Sequence, residues 1–313
     1  MRMDSREEEI KSLPIVTVCI PSYNHQEFVG EAISSVINQT YPNIELIVID
    51  DGSDDKSYSI LKSREEDIKK RFLRYKIQKQ ENKGLPATLN GALKWARGAY
   101  FVMLSSDDRM LPEKTYKQVK FMEENKEIAG VFGGIRKIDE NGSIIKSCEP
   151  TSGIWAFDDI LLKKCQLFAP TMMLRRTELD DVNGYWEDVA LEDRAITLKI
   201  TSQNKKIATI KGIVAEYRWH QRNTIRKSRS MLLARLKIYR KFPESESVKV
   251  ARVRAHYGYC LETYAREIDR AIKHFKVVSG YYNKELFKRS GRRVVKKLLL
   301  FKLFCFIKGV NHG

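Results

Sequence analysis

Short apolar runs alternate with amphipathic stretches along the first half of the chain. Residues 15–20, 44–49 and 99–104 are six-residue runs that are apolar except at Thr17 and Glu45, which is typical of buried strands in a parallel sheet. Between the first two runs, apolar side chains recur at helical spacing over residues 26–39. The order strand, helix, strand predicts a βαβ unit with a right-handed crossover.

The same alternation continues towards the middle of the chain. It predicts helices at residues 56–71, 85–97 and 113–125, and strands at residues 74–78, 129–138 and 207–216. This pattern predicts the α/β class, with a mainly parallel sheet covered by helices on both faces. In such sheets, ligands bind at the carboxyl ends of the strands.

Two pairs of aspartates, Asp50-Asp51 and Asp107-Asp108, come directly after two of these predicted strands. Aspartate after a strand often forms a turn or caps a helix, so either pair alone also fits a structural role. Together at one edge of a sheet, the carboxylates would repel one another unless a cation or several N–H donors offset their charge. Oxygen ligands of this kind suit Mg²⁺ or Mn²⁺.

Composition and charge divide the chain into two parts. With 42% hydrophobic and 31% charged residues, the chain has the composition of a globular protein. Residues 221–313 contain 24 Lys and Arg against 6 Asp and Glu, whereas the first 220 residues contain 33 against 34. We therefore expect a short extension at 1–13, a near-neutral domain at 14–225, and a basic region at 226–313 with helices at 228–242, 248–265 and 268–281.

The absence of several motifs argues against some classes of protein. There is no GxGxxG and no GxxxxGK[ST], which argues against a dinucleotide-binding dehydrogenase and a P-loop NTPase. The five cysteines have no CxxC spacing, which favours a reducing compartment over a disulfide framework. The charged first residues and the lack of a long apolar window predict a cytoplasmic protein without a membrane span.

Six short motifs follow one another in an order that points to a known family. They are VCIPSYN (18–24), IDDGSDD (49–55), NKG (82–84), LSSDD (104–108), LED (191–193) and YRWH (217–220). In this order they resemble the family 2 glycosyltransferases, which have the GT-A fold. The resemblance covers about residues 14–225 and implies a nucleotide-binding half at 14–108 and an acceptor half at 109–225.

The resemblance implies a binding site for the nucleotide of a sugar donor, with a UDP-sugar expected. By this likeness, Pro21 and Tyr23 belong to the loop that holds the base, and the Tyr23 ring offers a face for stacking. Asp51 corresponds to the carboxylate that accepts a hydrogen bond from the base. Asp107 corresponds to the residue near the ribose.

The resemblance also implies a divalent metal cofactor, Mn²⁺ or Mg²⁺, that holds the diphosphate of the donor. Asp108 corresponds to the metal ligand, and His220 to a histidine that contacts the metal or the diphosphate. Ser105 stands where many relatives carry a further acid, which leaves the number of protein ligands open. Arg218 or Arg222 is expected to add positive charge beside the diphosphate.

The last acidic motif is assigned to the acceptor. By the resemblance, Asp193 is the catalytic base, while Glu192 and Trp186 lie beside the acceptor; the pair Glu187-Asp188 is the competing choice. The implied reaction is an inverting transfer to a saccharide or lipid-linked saccharide. It is expected to be non-processive, because the QxxRW signature is absent. The alternatives are a polyprenyl-phosphate sugar synthase and an inactive nucleotide-sugar-binding homologue.

The basic third of the chain has a separate expected role. Residues 292–308 mix Lys and Arg with a dense apolar surface, which suits a helix lying in the plane of an anionic membrane. We therefore expect a peripheral protein on the inner face of the cell membrane, acting in polysaccharide biosynthesis. The alternative is packing on its own domain or in a homo-oligomer. Nucleic acid is not an expected partner, because no binding motif accompanies the charge.

Overall fold

A computed structural model of the chain describes residues 12–220 and 228–263. The chain divides into two compact units, the first ending at Val248 and the second beginning at Lys249. Most of the predicted 1–13 extension, the predicted helix at 268–281 and the basic segment 292–308 lie outside the described residues.

One mixed sheet forms the centre of the first unit. Its strands are β1 (Val16–Ser22), β2 (Ile44–Asp50), β3 (Tyr75–Lys79), β4 (Tyr100–Met103), β5 (Arg109–Met110), β6 (Ile128–Ile138), β7 (Ile144–Cys148), β8 (Gly153–Trp155), β9 (Met173–Arg175) and β10 (Lys206–Arg218). The strand order is β3-β2-β1-β4-β9-β6-β10-β5, with β7 added beside β6 and β8 beside β10.

Helices connect and cover these strands. They are α1 (Val29–Ile37), α2 (Ser57–Ser63), α3 (Glu65–Arg71), α4 (Leu85–Trp95), α5 (Lys114–Glu124), α6 (Phe157–Leu161), α7 (Arg176–Asp181), α8 (Glu192–Thr201), α9 (Ser228–Arg240) and α10 (Glu246–Thr263). A 3₁₀ turn at Ala169–Thr171 precedes β9.

The parallel part of the sheet sets the position of the site. β1 lies between β2 and β4, and all three run in the same direction. β9 is antiparallel to β4 and β6, and β6 is parallel to β10. The carboxyl ends of β1, β2 and β4 therefore share one edge of the sheet, where the loops that follow them lie side by side.

Continuous apolar sequence produces strands that are buried on both faces. Every residue of β1, β2 and β4 is buried, and α1 covers them with Val29, Ala32, Ile33 and Val36. At about 25 cal/mol for each Å² of apolar surface removed from water, such side chains supply most of the stabilisation of this half. The rigid core fixes where each strand ends.

The observed architecture confirms the predicted α/β class with a mainly parallel, helix-covered sheet. The predicted helix at residues 56–71 is instead two helices, α2 and α3, which meet at Arg64. The prediction also lacked β5, β7, β8 and β9, which have two to five residues each. Strands this short carry too few residues for a periodic signal.

The helices of the basic region begin and end close to the predicted positions. α9 buries Met231, Leu232 and Ile238 within the first unit, so this part of the basic region packs on its own domain. α10 runs from the end of the first unit into the second. In the described part of the chain, no helix combines the length and apolar character needed to cross a bilayer.

Candidate active site

Three loops are joined at the carboxyl edge of the parallel strands. The Asp51 N–H donates to the Ser22 carbonyl over 2.8 Å, which connects the ends of β2 and β1. His25 Nδ1 and Ser106 Oγ share a hydrogen bond of 2.8 Å, which connects the loops after β1 and β4. The two aspartate pairs therefore lie on the same edge, as the strand pattern predicted.

The Asp51 carboxylate holds the NKG turn in place. It accepts hydrogen bonds from Gln80 Nε2 at 2.7 Å, from the Lys83 N–H at 2.9 Å and from the Gly84 N–H at 2.9 Å. A carboxylate offers about four acceptor positions, so three are occupied and about one is left for a ligand. The predicted hydrogen bond from a base to Asp51 stays a prediction that this geometry permits.

Glycine allows the two turns to approach each other. Gly52 has a φ of +78°, and a Cβ at this position would lie 2.8 Å from the backbone nitrogen of Asn82. Gly84 has a φ of +82° and stands directly before α4, and proline in the first turn of α4 favours helix initiation at this point. The local sequence thus specifies the shape of this side of the site.

The two residues predicted to hold the base differ in exposure. Pro21 is buried within β1, where it pairs with Ile49 of β2. Tyr23 lies in the following loop with 47% of its surface exposed. An aromatic ring this accessible can stack on a ligand. Pro21 is buried in the strand that leads into the loop, so it can act only through the position of that loop.

Asp107 is the buried carboxylate at the centre of the site. The Ser105 hydroxyl donates to one of its oxygens, and the other shares a hydrogen bond of 2.9 Å with His220 Nε2. Burial by itself would raise the pKa of Asp107. The hydrogen bond from His220, the charge of His25 and the hydrogen bond from Ser105 outweigh it, so the pKa is lowered. This arrangement favours the ionised form.

Three side chains meet here in a group that could hold a metal ion. Ligand atoms of His25, Asp107 and His220 all lie within 4.8 Å of one another. Two imidazole nitrogens and one carboxylate oxygen accept a transition metal such as Mn²⁺ more readily than Mg²⁺, which prefers oxygen ligands. Sequence reasoning missed His25. Its signal was a histidine in the loop directly after β1, at the edge that also carries Asp107.

Asp108 is not a member of this group of three. Its side chain is buried and accepts a hydrogen bond of 2.9 Å from the Arg218 N–H. Burial, followed by the charge of Asp107, raises the pKa of Asp108 well above its ordinary value. The geometry therefore gives the predicted metal ligand Asp108 a different surrounding from that of Asp107, which lies beside His220.

Arg218 is fully buried, in contrast to its expected role beside the diphosphate. Its guanidinium donates to the carbonyls of Asp107 at 2.9 Å and Glu140 at 2.7 Å, and to the Glu31 carboxylate at 2.6 Å. These contacts tie the end of β10 to the aspartate loop and to α1. Arg218 is a structural cation of this edge, and Arg222 lies outside the described residues.

The pair Glu192-Asp193 begins α8. The preceding residue, Leu191, has φ +70° and ψ +53°, a left-handed conformation that is strained for leucine and often occurs at functional sites. Both acids keep partial contact with solvent, yet protein atoms closely surround them. Burial, followed by the charge of Asp193, raises the pKa of Glu192 to about 7, and burial also raises the pKa of Asp193.

Tyr217 is within electrostatic range of both groups of acids. Burial raises its pKa, and the charges of Asp108, Asp107 and Asp193 raise it further. The charges of all three carboxylates therefore act on one phenol, although more than eighty residues separate Asp193 from the aspartate pair along the chain.

The loop before α8 is held by two neighbouring helices. Asn90 of α4 exchanges hydrogen bonds with the backbone of Tyr185 and donates to Glu187 at 2.9 Å. Asp188 pairs with Lys237 and Lys241 of the α9 region. The competing pair Glu187-Asp188 is therefore engaged in contacts that position the loop. The assignment of Glu192-Asp193 to the acceptor stays a prediction.

The sequence and fold place the protein in a known class. Residues 17–182, more than half of the chain, match the description of Glycosyl transferase family 2. The chain belongs to this family, as its motifs predicted. Its fold is the GT-A fold, which its structural neighbours share.

Individual relatives give the likeness its detail. The chain is 31% identical over 209 residues to the Escherichia coli UDP-Glc:alpha-D-GlcNAc-diphosphoundecaprenol beta-1,3-glucosyltransferase WfgD, covering 66% of this chain and 78% of that protein. It spans only about a fifth of some longer rickettsial relatives that it matches.

Two solved structures have the same fold at low sequence identity. Staphylococcus aureus TarS 1-349 in complex with UDP-GlcNAc has a TM-score of 0.62 and 19% identity, with 83% of this chain and 79% of that chain covered. The mannosyltransferase PcManGT from Pyrobaculum calidifontis in complex with GDP-Man and Mn²⁺ has a TM-score of 0.60 and 16% identity, with 94% and 82% covered. At such identities the likeness concerns the fold alone.

Proposed function

We propose that the protein is an inverting, metal-dependent glycosyltransferase that moves a sugar from a nucleotide-sugar donor to a saccharide or lipid-linked saccharide acceptor. One observation carries this proposal: ligand atoms of His25, Asp107 and His220 lie within 4.8 Å of one another and could hold a metal ion. The charges of Asp107 and Asp193 both act on Tyr217, three residues before His220, and burial raises the pKa of Asp193. Glycosyl transfer from a diphosphate requires a metal ion and a carboxylate able to accept a proton.

A nucleoside diphosphate sugar fits the edge formed by the loops after β1 and β2. Tyr23 offers an exposed ring for the base, and Asp51 has an acceptor position left for an N–H of the base. Structural neighbours with this fold hold UDP-GlcNAc and GDP-Man, which supports the donor class. A UDP-sugar remains the expected donor.

The metal of this reaction would be held by Asp107, His220 and His25. This proposal differs from the sequence-based one in preferring Asp107 to Asp108, because among the described residues Asp107 is the carboxylate that groups with both histidines. A divalent ion bound there would neutralise the charge that develops on the departing diphosphate. Arg218 holds the loop of Asp107 in position by donating a hydrogen bond to the Asp107 carbonyl.

Asp193 is proposed to act as the general base. It takes the proton of the acceptor hydroxyl while that oxygen forms a bond to the anomeric carbon, and the bond to the diphosphate oxygen breaks. The configuration inverts in this single displacement, with no covalent enzyme intermediate. A raised pKa makes Asp193 a stronger base than an ordinary aspartate, and Glu192 and Trp186 lie beside the acceptor.

The acceptor and location are proposals of the same kind. WfgD is named for a diphosphoundecaprenol-linked acceptor and a β-1,3 product, which supports a lipid-linked saccharide and a β linkage from an α-linked donor. Transfer of one sugar per encounter, a role in polysaccharide biosynthesis, and a cytoplasmic protein peripheral to the inner membrane face are consistent with such an acceptor.

The deciding experiment separates transfer from donor binding. A screen of UDP-, GDP- and dTDP-sugars by thermal shift with Mn²⁺ identifies the donor of the wild-type chain. Asp193→Asn should then lower transfer by about 10²–10⁴-fold, the usual contribution of a general base, with donor affinity nearly unchanged. Asp181→Asn, at an exposed acid of α7, is the matched control and should keep wild-type activity.

Other outcomes favour the alternatives. If Asp193→Asn loses donor binding and transfer together, Asp193 is not the base. If the wild-type chain binds a donor but transfers its sugar to no saccharide or polyprenyl-phosphate acceptor, the inactive homologue is favoured. Transfer to a polyprenyl phosphate alone would identify a polyprenyl-phosphate sugar synthase.

A further inference from the structure

Two lysines converge on the ring of Trp186 beside α8. The ammonium group of Lys199 lies 5.2 Å from the centre of the Trp186 ring, and that of Lys241 lies 5.0 Å from it. Phe242 packs on the same tryptophan, with the ring centres 5.7 Å apart. We call Lys199 and Lys241 the lysine pair. Ammonium groups at such distances from an aromatic face are attracted to it.

The positive charge of the lysine pair is only partly balanced. Lys199 donates to the Gly184 carbonyl at 2.8 Å, and none of the described carboxylates forms an ion pair with it. Lys241 pairs with Asp188 at 2.9 Å but shares this carboxylate with Lys237. Burial, followed by the charge of Lys241, lowers the pKa of Lys199. Both cations therefore lie near one ring, and the charge of one disfavours the charge of the other.

The position of the lysine pair relates it to the acidic pair at the start of α8. Lys199 follows Glu192 by seven residues, two turns of the helix, so both side chains lie on the same face. The rise of an α-helix places them about 10 Å apart along the axis. A sugar ring whose hydroxyl lies near Glu192-Asp193 would have its far end within reach of the lysine pair.

We propose that the lysine pair and Trp186 form a subsite for a phosphate or diphosphate group on the acceptor. This inference rests on the proposed function and specifies its acceptor as an anionic one. Each ammonium group has three N–H donors, and Gly184 and Asp188 accept one from each, which leaves donors among the described residues for an incoming oxyanion. The anion would offset the charge that Asp188 alone does not balance, and Trp186 would pack against the adjoining sugar.

Binding of inorganic pyrophosphate tests this subsite without requiring the acceptor. Calorimetric titration of the full chain is done in EDTA, so that no metal draws the probe to the donor site. The double variant Lys199→Gln/Lys241→Gln should bind pyrophosphate about tenfold more weakly than the wild-type chain. The control Lys206→Gln/Lys211→Gln removes the same charge from exposed positions on β10 and should bind like wild type.

Several results would overturn the proposal. Wild-type affinity in the double variant, or equal weakening in the control, would show that the pair is not a specific site. Circular dichroism and the single variants separate misfolding from loss of binding, since each single variant should lose part of the affinity. Because the measurement involves neither donor nor transfer, its failure leaves the proposed glycosyltransferase activity standing.

A membrane arm distinguishes the acceptor from lipid headgroups, which carry the same phosphate chemistry. Flotation with phosphatidylglycerol vesicles should be equal for the wild-type chain and the double variant, because the pair lies beside the acceptor loop. If the double variant loses vesicle binding by as much as it loses pyrophosphate binding, the lysine pair binds the phosphate of lipid headgroups and the assignment to the acceptor is wrong.

Discussion

The carboxylates of the nucleotide side and of the acceptor side have opposite surroundings. On the nucleotide side, N–H and O–H groups point at Asp51 and Asp107: three donors at Asp51, and Ser105 and His220 at Asp107. On the acceptor side, Glu192 and Asp193 lie together at the start of α8, and burial raises the pKa of both. The surrounding donors favour the ionised form of Asp107, whereas burial makes the charges of Glu192 and Asp193 costly, as it does the charge of Asp108.

This difference suits different chemistry. A carboxylate surrounded by donors remains ionised and can hold a cation or a base N–H without taking up a proton. A carboxylate that burial and a like charge destabilise has a higher affinity for protons, as a general base requires. The environments of these acids, rather than their residue types, distinguish the two roles.

The largest expected effect concerns the nucleotide side and decides between two adjacent aspartates. Asp107→Asn should weaken Mn²⁺ binding by about 100-fold, because it removes the only carboxylate of the group formed by His25, Asp107 and His220. Asp108→Asn should change Mn²⁺ affinity by less than about 10-fold, the low end of what residues supporting a metal ligand contribute. Electron paramagnetic resonance of free Mn²⁺ measures both. The reverse order would restore Asp108 as the ligand.

The second effect concerns the acceptor side and its pH dependence. Because burial raises the pKa of Asp193, this base takes up a proton at a higher pH than an ordinary aspartate does, and it is lost as the pH falls below that raised pKa. Transfer at saturating sugar donor should fall about tenfold for each pH unit below the midpoint of this titration. Glu192→Gln removes one of the coupled acids and should move the midpoint to lower pH. An unchanged midpoint would show that another group controls the profile.

A third effect tests whether the N–H groups that surround Asp51 contribute to binding of the nucleotide-sugar donor. Asp51→Asn places an NH₂ group where the Lys83 or Gly84 N–H needs an acceptor, and a buried donor left unpaired costs about 1–3 kcal/mol. We expect donor affinity to fall about tenfold, as measured by calorimetry. Asp54→Asn, at an exposed position in the same loop, provides the control and should retain the donor affinity.

The smallest expected effect is on stability and concerns a buried lysine outside both regions. Lys114 of α5 is fully buried, its Nζ has no hydrogen-bond partner among the described residues, and burial lowers its pKa to about 7. Lys114→Met should stabilise the protein by about 1–2 kcal/mol, because it removes a desolvated cation. Thermal unfolding at neutral pH measures this gain.

The sign of the pH dependence provides an independent check on Lys114. In the unfolded chain a lysine titrates near about 10.4, whereas folded Lys114 titrates near 7. Between these values the unfolded state binds more protons, so the stability of the wild-type chain should rise as the pH increases from about 7 to 10. The Lys114→Met variant should lack this part of the rise, and equal slopes in both proteins would contradict it.

Much of the fold was predictable because its local signals are strong. The apolar runs at β1, β2 and β4 have only one compatible structure in a chain of this pattern, and the aspartates that follow them necessarily share an edge. The motif order was sufficient to identify the family. Short elements such as β5 and β9 were not predictable, since pairing with long neighbouring strands forms them, and two or three residues show no periodicity.

The candidate site was predictable in part. Residue type and position after a strand predicted that Asp50-Asp51 and Asp107-Asp108 share one edge of the sheet, and the structure has them there. His25 was missed, because its distance to Asp107 depends on how the loop after β1 turns towards the loop after β4. Arg218 was assigned the wrong surroundings, because sequence does not show whether an arginine at a strand end faces solvent or the protein interior.

The sequence by itself determined the alternation of strands and helices, the edge at which the aspartate pairs gather, and the concentration of positive charge in residues 221–313. These properties depend on local hydrophobicity, spacing and charge. Only the tertiary structure decided which aspartate lies beside the histidines, which acids have raised pKa values, and that Lys199 and Lys241 meet at Trp186. Those outcomes depend on distances and burial between residues far apart in the chain, and such distances exist only once the chain is packed.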